Sequence, residues 1–414
     1  MSEQVFVTGM GMVGPCGNST KAFWEGLLDP STTYITALES DLSQDLLVKA
    51  GGQVKGIEAE KLFSKRLLRK CSRFSVLSLL SSMEAVQDAG LELEHLDKDR
   101  IGIFVGNNSG GWESAREGLE VLHREGPKFV SPYLASNWFP AAAQGHLSLV
   151  LGTKGFSKTV IADRASGLLA IAYAAKAIRS GAVDMAIAGG VETPLDDWAL
   201  AFYKQSGILC STDSDEEAVY KPFDRNRNGL LLAEGAAFVV LESQASVKRR
   251  KAEHHIVASV QGFGMTNSGG ASDHQVKVGQ YARAIRTAIR HSDVKEEDIA
   301  YLSLDGAANE ADDTIECEAI HNVFADRATQ IPSSCPKSAF GNSIGASGAI
   351  DFALAVQTMR DSIIPPVANL VEPDERCPLR FVQHENLESR VRSSLVLSRG
   401  LGGVSAAMVL KQEI

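Results

Sequence analysis

The sequence predicts an α/β fold made of two duplicated halves, with helices enclosed between layers of β-sheet. Three observations lead to this prediction. Apolar strand-like runs alternate with helical segments along the chain, as in α/β proteins. One helical segment occurs twice in similar form, and both copies are apolar or small on nearly every face, so both should be covered on all sides. The length of 414 residues is sufficient for two or three domain-sized units.

The duplicated helix is the clearest sign of the repeat. Residues 165–179 align without a gap with residues 346–360. The identical positions are Ala165, Ser166, Gly167, Ala172, Ala174 and Arg179, which match Ala346, Ser347, Gly348, Ala353, Ala355 and Arg360. We therefore predict an N-terminal half over residues 1–250 and a C-terminal half over residues 251–414, with an insertion at about 107–145 in the first half.

Within each half the predicted order is strand, helix, strand, helix and then closing apolar strands, such as residues 236–241 and 394–397. The insertion contains a charged helix at residues 112–125 and an aromatic, proline-bounded run at residues 129–140. Aromatic side chains in excess of the repeat are typical of interfaces and pocket walls, so we expect this segment to form one or the other.

Composition and charge exclude several classes of protein. The net charge of −10 and the pI of about 5.5 disfavour binding to nucleic acid or to a membrane surface, both of which attract clusters of Lys and Arg. There is no apolar run of about 18 residues and no signal-peptide pattern, so we expect a cytoplasmic protein. The six cysteines form no C-x-x-C pair and have no histidine at metal-ligand spacing. We expect reduced, buried thiols, no metal and no cofactor.

Six blocks of the sequence resemble the ketosynthase branch of the thiolase superfamily. In chain order they are VFVTGMGMVGPCG, IGIFVGNNSGG, DMAIAGGVET, KPFDRNRNGLLLAEGAAFVVLE, PKSAFGNSIGASGA and GLGGVSAAMVL. The resemblance covers almost the whole chain and implies the thiolase-like five-layered αβαβα fold. It also implies where the catalytic residues of a condensing member stand in the sequence. A condensing member has a nucleophilic cysteine before the first central helix and two histidines in later turns.

All three reactive side chains of a condensing member are replaced in this sequence. Arg164 stands at the position of the cysteine, Asp305 at that of the first histidine and Asn342 at that of the second. Because a helix N-terminus disfavours a fixed cation, Arg164 should need a counter-ion, and we expect a buried ion pair with Asp305. Lys337 and Asp351 stand where the family has a structural lysine and carboxylate, and we expect them to pair. The resemblance thus implies a site with no catalytic residue.

The loss of these residues resembles the chain length factors, also called ketosynthase beta subunits, of bacterial type II polyketide synthases. The resemblance is sharpest at residues 130–133, 137–149 and 155–169. It implies a non-condensing subunit that forms a heterodimer with a catalytic ketosynthase, the alpha subunit, and that meets an acyl carrier protein bearing malonyl units and the growing polyketide. The family usually has Gln at the position of Arg164, so a decarboxylating role for this position stays open.

Five residues are candidates for the substrate tunnel or the partner interface that the resemblance implies. They are Trp112, Glu113, Arg116, Phe139 and Trp198. In such a tunnel the chain would grow until it meets bulky side chains, and further growth would cost a few kcal/mol, about the size of an overpacking penalty. Ordinary core packing is the alternative explanation for the aromatic residues.

Two other functions remain open on the sequence alone. The chain could be an autonomous malonyl decarboxylase or acyltransferase that uses an atypical site around Arg164, Asp305, Asn342 and Lys337. It could also be a structural stabiliser of a fatty-acid-type ketosynthase. A neighbouring gene for an intact Cys-His-His ketosynthase would favour the chain length factor, and a solitary gene would favour the autonomous enzyme.

Overall fold

A computed structural model describes residues 3–29, 32–38, 48, 50–210 and 219–413 of the chain. Within these residues, eleven strands form one continuous mixed sheet, and two further pairs of short strands lie outside it. The strands are β1 (Val5–Val13), β2 (Thr36–Ala37), β3 (Ala50–Gly51), β4 (Ile101–Gly106), β5 (Lys158–Val160), β6 (Met185–Glu192), β7 (Gly235–Ser243), β8 (Ala258–Asn267), β9 (Tyr301–Ser303), β10 (Pro332–Ser334), β11 (Ile363–Ile364), β12 (Arg380–Phe381), β13 (Leu387–Glu388), β14 (Ser393–Arg399) and β15 (Val404–Gln412).

Helices cover both faces of the sheet. They are α1 (Thr20–Leu27), α2 (Ala59–Leu62), α3 (Lys65–Leu68), α4 (Arg73–Asp88), α5 (Trp112–Glu125), α6 (Leu134–Asn137), α7 (Ala142–Leu151), α8 (Ser166–Arg179), α9 (Asp197–Gln205), α10 (Gln244–Arg250), α11 (His274–Arg290), α12 (Glu310–Phe324) and α13 (Ser347–Asp361). The charged helix predicted in the insertion is α5.

The strand order is the same in the two parts of the sheet. From the centre outwards, one part runs β1, β7, β6, β4, β5 and the other runs β8, β15, β14, β9, β10, with β12 added at its edge. The inner pairs are antiparallel and the outer pairs are parallel in both parts. The shared order agrees with a duplication, and the boundary at residue 250 stays a prediction.

The central helices expected between two separate sheets lie instead against two parts of one sheet. Residues 5–7 of β1 pair antiparallel with residues 258–260 of β8, and this short contact joins the two parts. Helices α8 and α13 pack against each other and between the two parts, whereas α4 covers the outer face of one part. Helix α11 covers that of the other part, and α12 packs against α11 and shares its apolar cluster. These five layers confirm the predicted thiolase-like fold.

Small residues allow the two central helices to approach closely. Every residue of α13 from Ser347 to Met359 is buried, and α8 is buried along most of its length. A Cβ atom added to Gly167 would lie only 2.7 Å from the Cβ of Ala349 on the neighbouring helix. Glycine and alanine at this crossing therefore set how near the N-termini of the two helices come, and the candidate site lies at those N-termini.

Two further expectations concern the thiols and the helices. The cysteines carry no disulfide, and five of the six are buried, whereas Cys71 is half-buried. None of the described helices combines the length and the apolar character needed to cross a membrane.

Candidate functional site

Arg164 and Asp305 form the buried ion pair that the sequence predicts. Arg164 lies in the tight turn Asp163–Ala165 that leads into α8, and Asp305 follows the end of β9. Their exposed fractions are only 1% and 3%. Asp305 Oδ2 accepts hydrogen bonds from Arg164 Nε at 3.3 Å and Nη2 at 3.2 Å. The position expected for a nucleophile is therefore filled by a paired guanidinium.

Two more aspartates complete the shell around this guanidinium. Asp163 Oδ2 lies 3.7 Å from Nη1 of Arg164, and Asp312 Oδ2 lies 3.7 Å from its Nη2. Asp312 also pairs with Arg399 at the end of β14. Burial alone lowers the pKa of Arg164, but the charges of Asp305 and the two further aspartates raise it well above the usual value. The guanidinium therefore stays charged and cannot act as an acid or a base.

Two carboxylates of α12 hold the turn that carries Asp305. Glu316 accepts the backbone N–H groups of Asp305 at 2.8 Å and Gly306 at 3.0 Å. Asp313 Oδ1 accepts those of the next two residues at 2.8 and 3.1 Å. Burial raises the pKa of Glu316 to about 8, with the charge of Asp305 adding to the effect, and burial raises the pKa of Asp313 to about 7. Burial thus makes both acids harder to ionise, whereas the buried guanidinium of Arg227, 3.1 Å from Asp313 Oδ2, favours the charged form of Asp313.

Asn342 belongs to the same cluster through a tyrosine. Its Oδ1 accepts hydrogen bonds from the backbone N–H of Ile344 at 2.9 Å and from Ser347 Oγ at 2.8 Å. Its Nδ2 donates to the hydroxyl of Tyr220 at 3.2 Å, and this hydroxyl donates to the carbonyl of Gly306. The three replaced positions therefore meet at one place, but the amide offers no proton-transfer group there.

Lys337 and Asp351 also pair as predicted, and both side chains are 1% exposed. Burial alone lowers the pKa of Lys337, but the charge of Asp351 raises it above the usual value. A cysteine also lies here, because Cys335 Sγ is 3.9 Å from the carbonyl oxygen of Asp305. Burial raises the pKa of this thiol well above its usual range, so Cys335 is not a thiolate nucleophile.

Two of the three aromatic candidates, Trp112 and Trp198, form a small cluster with Phe202 and Tyr203. The ring of Trp112 meets that of Phe202 edge to face at 5.3 Å and stacks near Tyr203 at 6.4 Å. Trp198 lies 6.4 Å from Phe202 on the other side. Phe139 lies apart from this cluster, against Trp138.

The charged candidates line open clefts beside this cluster. Glu113 and Arg116 line a cleft of about 620 Å³, and Arg116 and Trp198 line a second one of about 550 Å³. Glu113 accepts the backbone N–H of Arg73 at 2.7 Å, and burial raises its pKa to about 7. Neither cleft is lined by Arg164, Asp305 or Asn342. The role of these five residues in a tunnel stays a prediction.

Several residues of the site were not found from the sequence. They are Asp163, Asp312, Arg399, Asp313, Glu316, Tyr220 and Glu192. One usable signal was Arg399, the single charged residue of a strand otherwise made of serine, leucine and valine. Another was the acidic start of α12, where Asp312 and Glu316 stand four positions apart on one helix face. Among the described residues, no group of three or more His, Cys, Asp or Glu side chains is arranged to hold a metal ion.

The fold defines a thiolase-like protein in which Arg164, Asp305 and Asn342 belong to one buried cluster. The family model described as "Beta-ketoacyl synthase, N-terminal domain" matches residues 2–246, and "Beta-ketoacyl synthase, C-terminal domain" matches residues 257–371. The chain therefore belongs to the beta-ketoacyl synthase family.

Similar proteins include 3-oxoacyl-[acyl-carrier-protein] synthases and a polyketide synthase beta subunit. A 3-oxoacyl-[acyl-carrier-protein] synthase 2 of Staphylococcus aureus (strain COL) is 31% identical over 412 residues, covering 99% of each chain. The tetracenomycin polyketide synthase ketoacyl synthase beta subunit of Streptomyces glaucescens is 32% identical over 413 residues, covering 99% of this chain and 98% of that one. The solved structure titled "The ishigamide ketosynthase/chain length factor" superposes with a TM-score of 0.91 at 27% identity, covering 100% of both chains.

Proposed function

We propose that this chain is a chain length factor: a non-condensing subunit that forms a heterodimer with a catalytic ketosynthase and sets the length of a polyketide. The partner carries out the thioester and condensation chemistry on units delivered by an acyl carrier protein. This subunit supplies the wall against which the growing chain ends. The proposal places the complex in the cytoplasm, as the resemblance to type II synthases implies.

The observation that carries the proposal is the paired guanidinium of Arg164 at the former nucleophile position. Condensation needs a thiolate that attacks a thioester and bases that manage the protons. Arg164 and Asp305 neutralise each other in a buried pair, and Asn342 is an amide. No group with the required chemistry stands at any of the three positions. The chain keeps the fold of a ketosynthase while it lacks the reactive set, which fits a subunit that works beside an active partner.

The surface beside the insertion supports a partner. Strand β5 lies at the edge of the sheet, and apolar side chains flank it: Phe156 and Ile161 are 58% and 57% exposed. Leu149 on α7 and Phe129 and Phe139 in the aromatic run are also exposed. A sheet edge with apolar neighbours is poorly suited to remain in water and well suited to pair with a second chain. The similar ishigamide structure is itself titled as a ketosynthase/chain length factor.

An intact-mass experiment tests the absence of chemistry. The chain alone, the catalytic ketosynthase alone and the complex are each incubated with acyl and malonyl thioesters of an acyl carrier protein. We expect an acyl adduct on the catalytic partner and none on this chain. Arg164→Cys should not restore condensation, because Asp305 and Asn342 still provide no base.

The same samples separate the alternatives. An acyl adduct on the wild-type chain, or release of carbon dioxide from malonyl thioesters by the chain alone, would instead support an autonomous acyltransferase or decarboxylase. Stable pairing with a fatty-acid ketosynthase, without any effect on the products, would support a structural stabiliser. The 31% identity to the Staphylococcus aureus synthase is the reason for including that enzyme as a second partner.

A further inference from the structure

A buried carboxylate outside the ion-pair cluster links two loops of the site. Glu192 ends β6 and has no exposed surface. Its Oε2 accepts the backbone N–H of Asn108 at 2.6 Å and that of Gly345 at 3.2 Å. Its Oε1 accepts the backbone N–H of Ser109 at 3.0 Å and the hydroxyl of the same residue. The carboxylate thus accepts hydrogen bonds only from uncharged N–H and O–H groups, and these belong to two separate segments of the chain.

The close approach of these segments depends on glycine. A Cβ atom at Gly345 would lie 2.3 Å from Glu192 Oε2, and one at Gly190 would lie 2.9 Å from the carbonyl oxygen of Gly345. Gly345 stands in the turn between Asn342 and helix α13. The carboxylate therefore contacts the very turn that carries one of the replaced catalytic positions.

On its other side, Glu192 holds the loop that starts helix α5. Asn108 Nδ2 donates to the hydroxyl of Tyr203 at 2.7 Å, and the Tyr203 ring stacks near Trp112, the first residue of α5. In the same loop, Asn107 Nδ2 donates to the carbonyl of Pro140 at 2.8 Å. The loop is thus tied to both the tryptophan helix and the end of the aromatic run.

We propose that Glu192 is a positioning residue for polyketide length: it locks the loop at residues 107–111 against the turn at residues 344–346, and so fixes Trp112 and the aromatic run relative to the partner. This inference rests on the proposed function. A carboxylate is required because two donors converge on each of its oxygens. An amide of the same size offers one acceptor oxygen and turns an N–H₂ group toward the other pair of donors.

The test compares Glu192→Gln with Glu84→Gln. Glu84 is a suitable control because, like Glu192, it accepts hydrogen bonds from the backbone N–H groups of two separate segments, here Thr20 at 2.7 Å and Met12 at 3.1 Å, and neither segment belongs to the site. In Glu192→Gln, hydrogen exchange should become about tenfold faster either at the amide of Ser109 or at the amides of Asn108 and Gly345, according to which pair of donors the new N–H₂ group faces. A change of about tenfold is the size expected for the loss of one hydrogen bond to a charged group. In Glu84→Gln, faster exchange should be confined to residues 12 and 20.

Product mass from the complex with the catalytic ketosynthase is the second readout. Glu192→Gln should broaden the distribution of polyketide lengths. Glu84→Gln should leave that distribution unchanged, even if it lowers the thermal midpoint of the protein as much as Glu192→Gln does. Unchanged exchange in the loop, or faster exchange with unchanged lengths, would overturn the inference. If the wild-type complex makes no polyketide, the proposed function fails, whereas the exchange measurement still decides whether Glu192 holds the loop.

Discussion

At the scale of single residues, the charge of Arg164 explains the composition of its surroundings. A cation before the first turn of α8 faces the positive end of the helix dipole and is buried as well, so both effects oppose its charge. Asp163, Asp305 and Asp312 counter them from three directions. Each of these charges is stabilised by its partners, so a single substitution that removes one of them should lower the stability of the protein.

Asp305→Asn should lower the free energy of unfolding by about 3 kcal/mol, because Arg164 would then lose its nearest charge while still buried. We expect the low end of the usual range, since Asp163 and Asp312 remain. The measurement is urea unfolding followed by circular dichroism. Glu58→Gln removes a carboxylate from the exposed pair with Lys61 and should leave the midpoint unchanged. Equal midpoints for the two variants would contradict a structural role for the buried pair.

At the scale of elements, helix α12 fixes the turn after β9 through carboxylates that are costly to ionise. Burial raises the pKa of Glu316 from 4.5 to about 8 and that of Asp313 from 3.8 to about 7. The folded protein therefore binds protons more tightly than the unfolded chain does at these groups. Their contribution to stability is complete below the unfolded pKa values and is lost as the pH rises through the folded ones.

Glu316→Gln should flatten the pH dependence of stability, because the amide imitates the protonated acid and cannot ionise. We expect the thermal midpoint of the wild type to fall more steeply than that of the variant as the pH rises from about 5 to about 8. Glu310→Gln is the control, since Glu310 lies on the same helix with 71% of its side chain exposed and pairs with Arg376, which stays charged over this pH range. Parallel pH curves for the wild type and Glu316→Gln would show that this carboxyl is already ionised.

Helices α5 and α9 carry the aromatic residues proposed to end the growing chain. Trp112→Ala and Trp198→Ala should each vacate ring volume and allow the polyketide to grow by one or more two-carbon units. If these residues are only core, each change should instead cost about 3–5 kcal/mol and reduce yield without altering length. Product mass from the reconstituted complex distinguishes the two outcomes. Trp24→Ala, in helix α1 and buried outside this cluster, is the aromatic control, and it should lower stability without altering length.

At the scale of the whole molecule, the sequence was informative where one residue type or one repeated pattern decides the structure. The copies at residues 165–179 and 346–360 are apolar or small on nearly every face, which predicted central helices, and a cation at the helix N-terminus predicted an acid beside it. The sequence did not identify Asp312 and Arg399 as members of the network, because their approach depends on how distant elements pack. The joining of the sheet at residues 5–7 was missed for the same reason.

We expect the exposed aromatic run at residues 129–140 to form an interface, so a single charge introduced there should weaken binding of the partner. Phe139 is 54% exposed, and an aspartate at this position would be buried without a partner on association. Phe139→Asp should therefore weaken binding to the catalytic ketosynthase by about tenfold or more, measured by co-purification and titration. Leu62→Asp is the control, because Leu62 is 63% exposed outside this run. Equal binding by both variants would remove Phe139 from the interface.

The central claim is that this chain sets product length without catalysing condensation. The most direct measurement pairs one catalytic ketosynthase in turn with this chain and with the Streptomyces glaucescens beta subunit, and determines product mass. We expect the ketosynthase alone to make little product, either pairing to restore synthesis, and the length of the product to follow the beta subunit. Product of the same length and yield from the ketosynthase with or without this chain would contradict it.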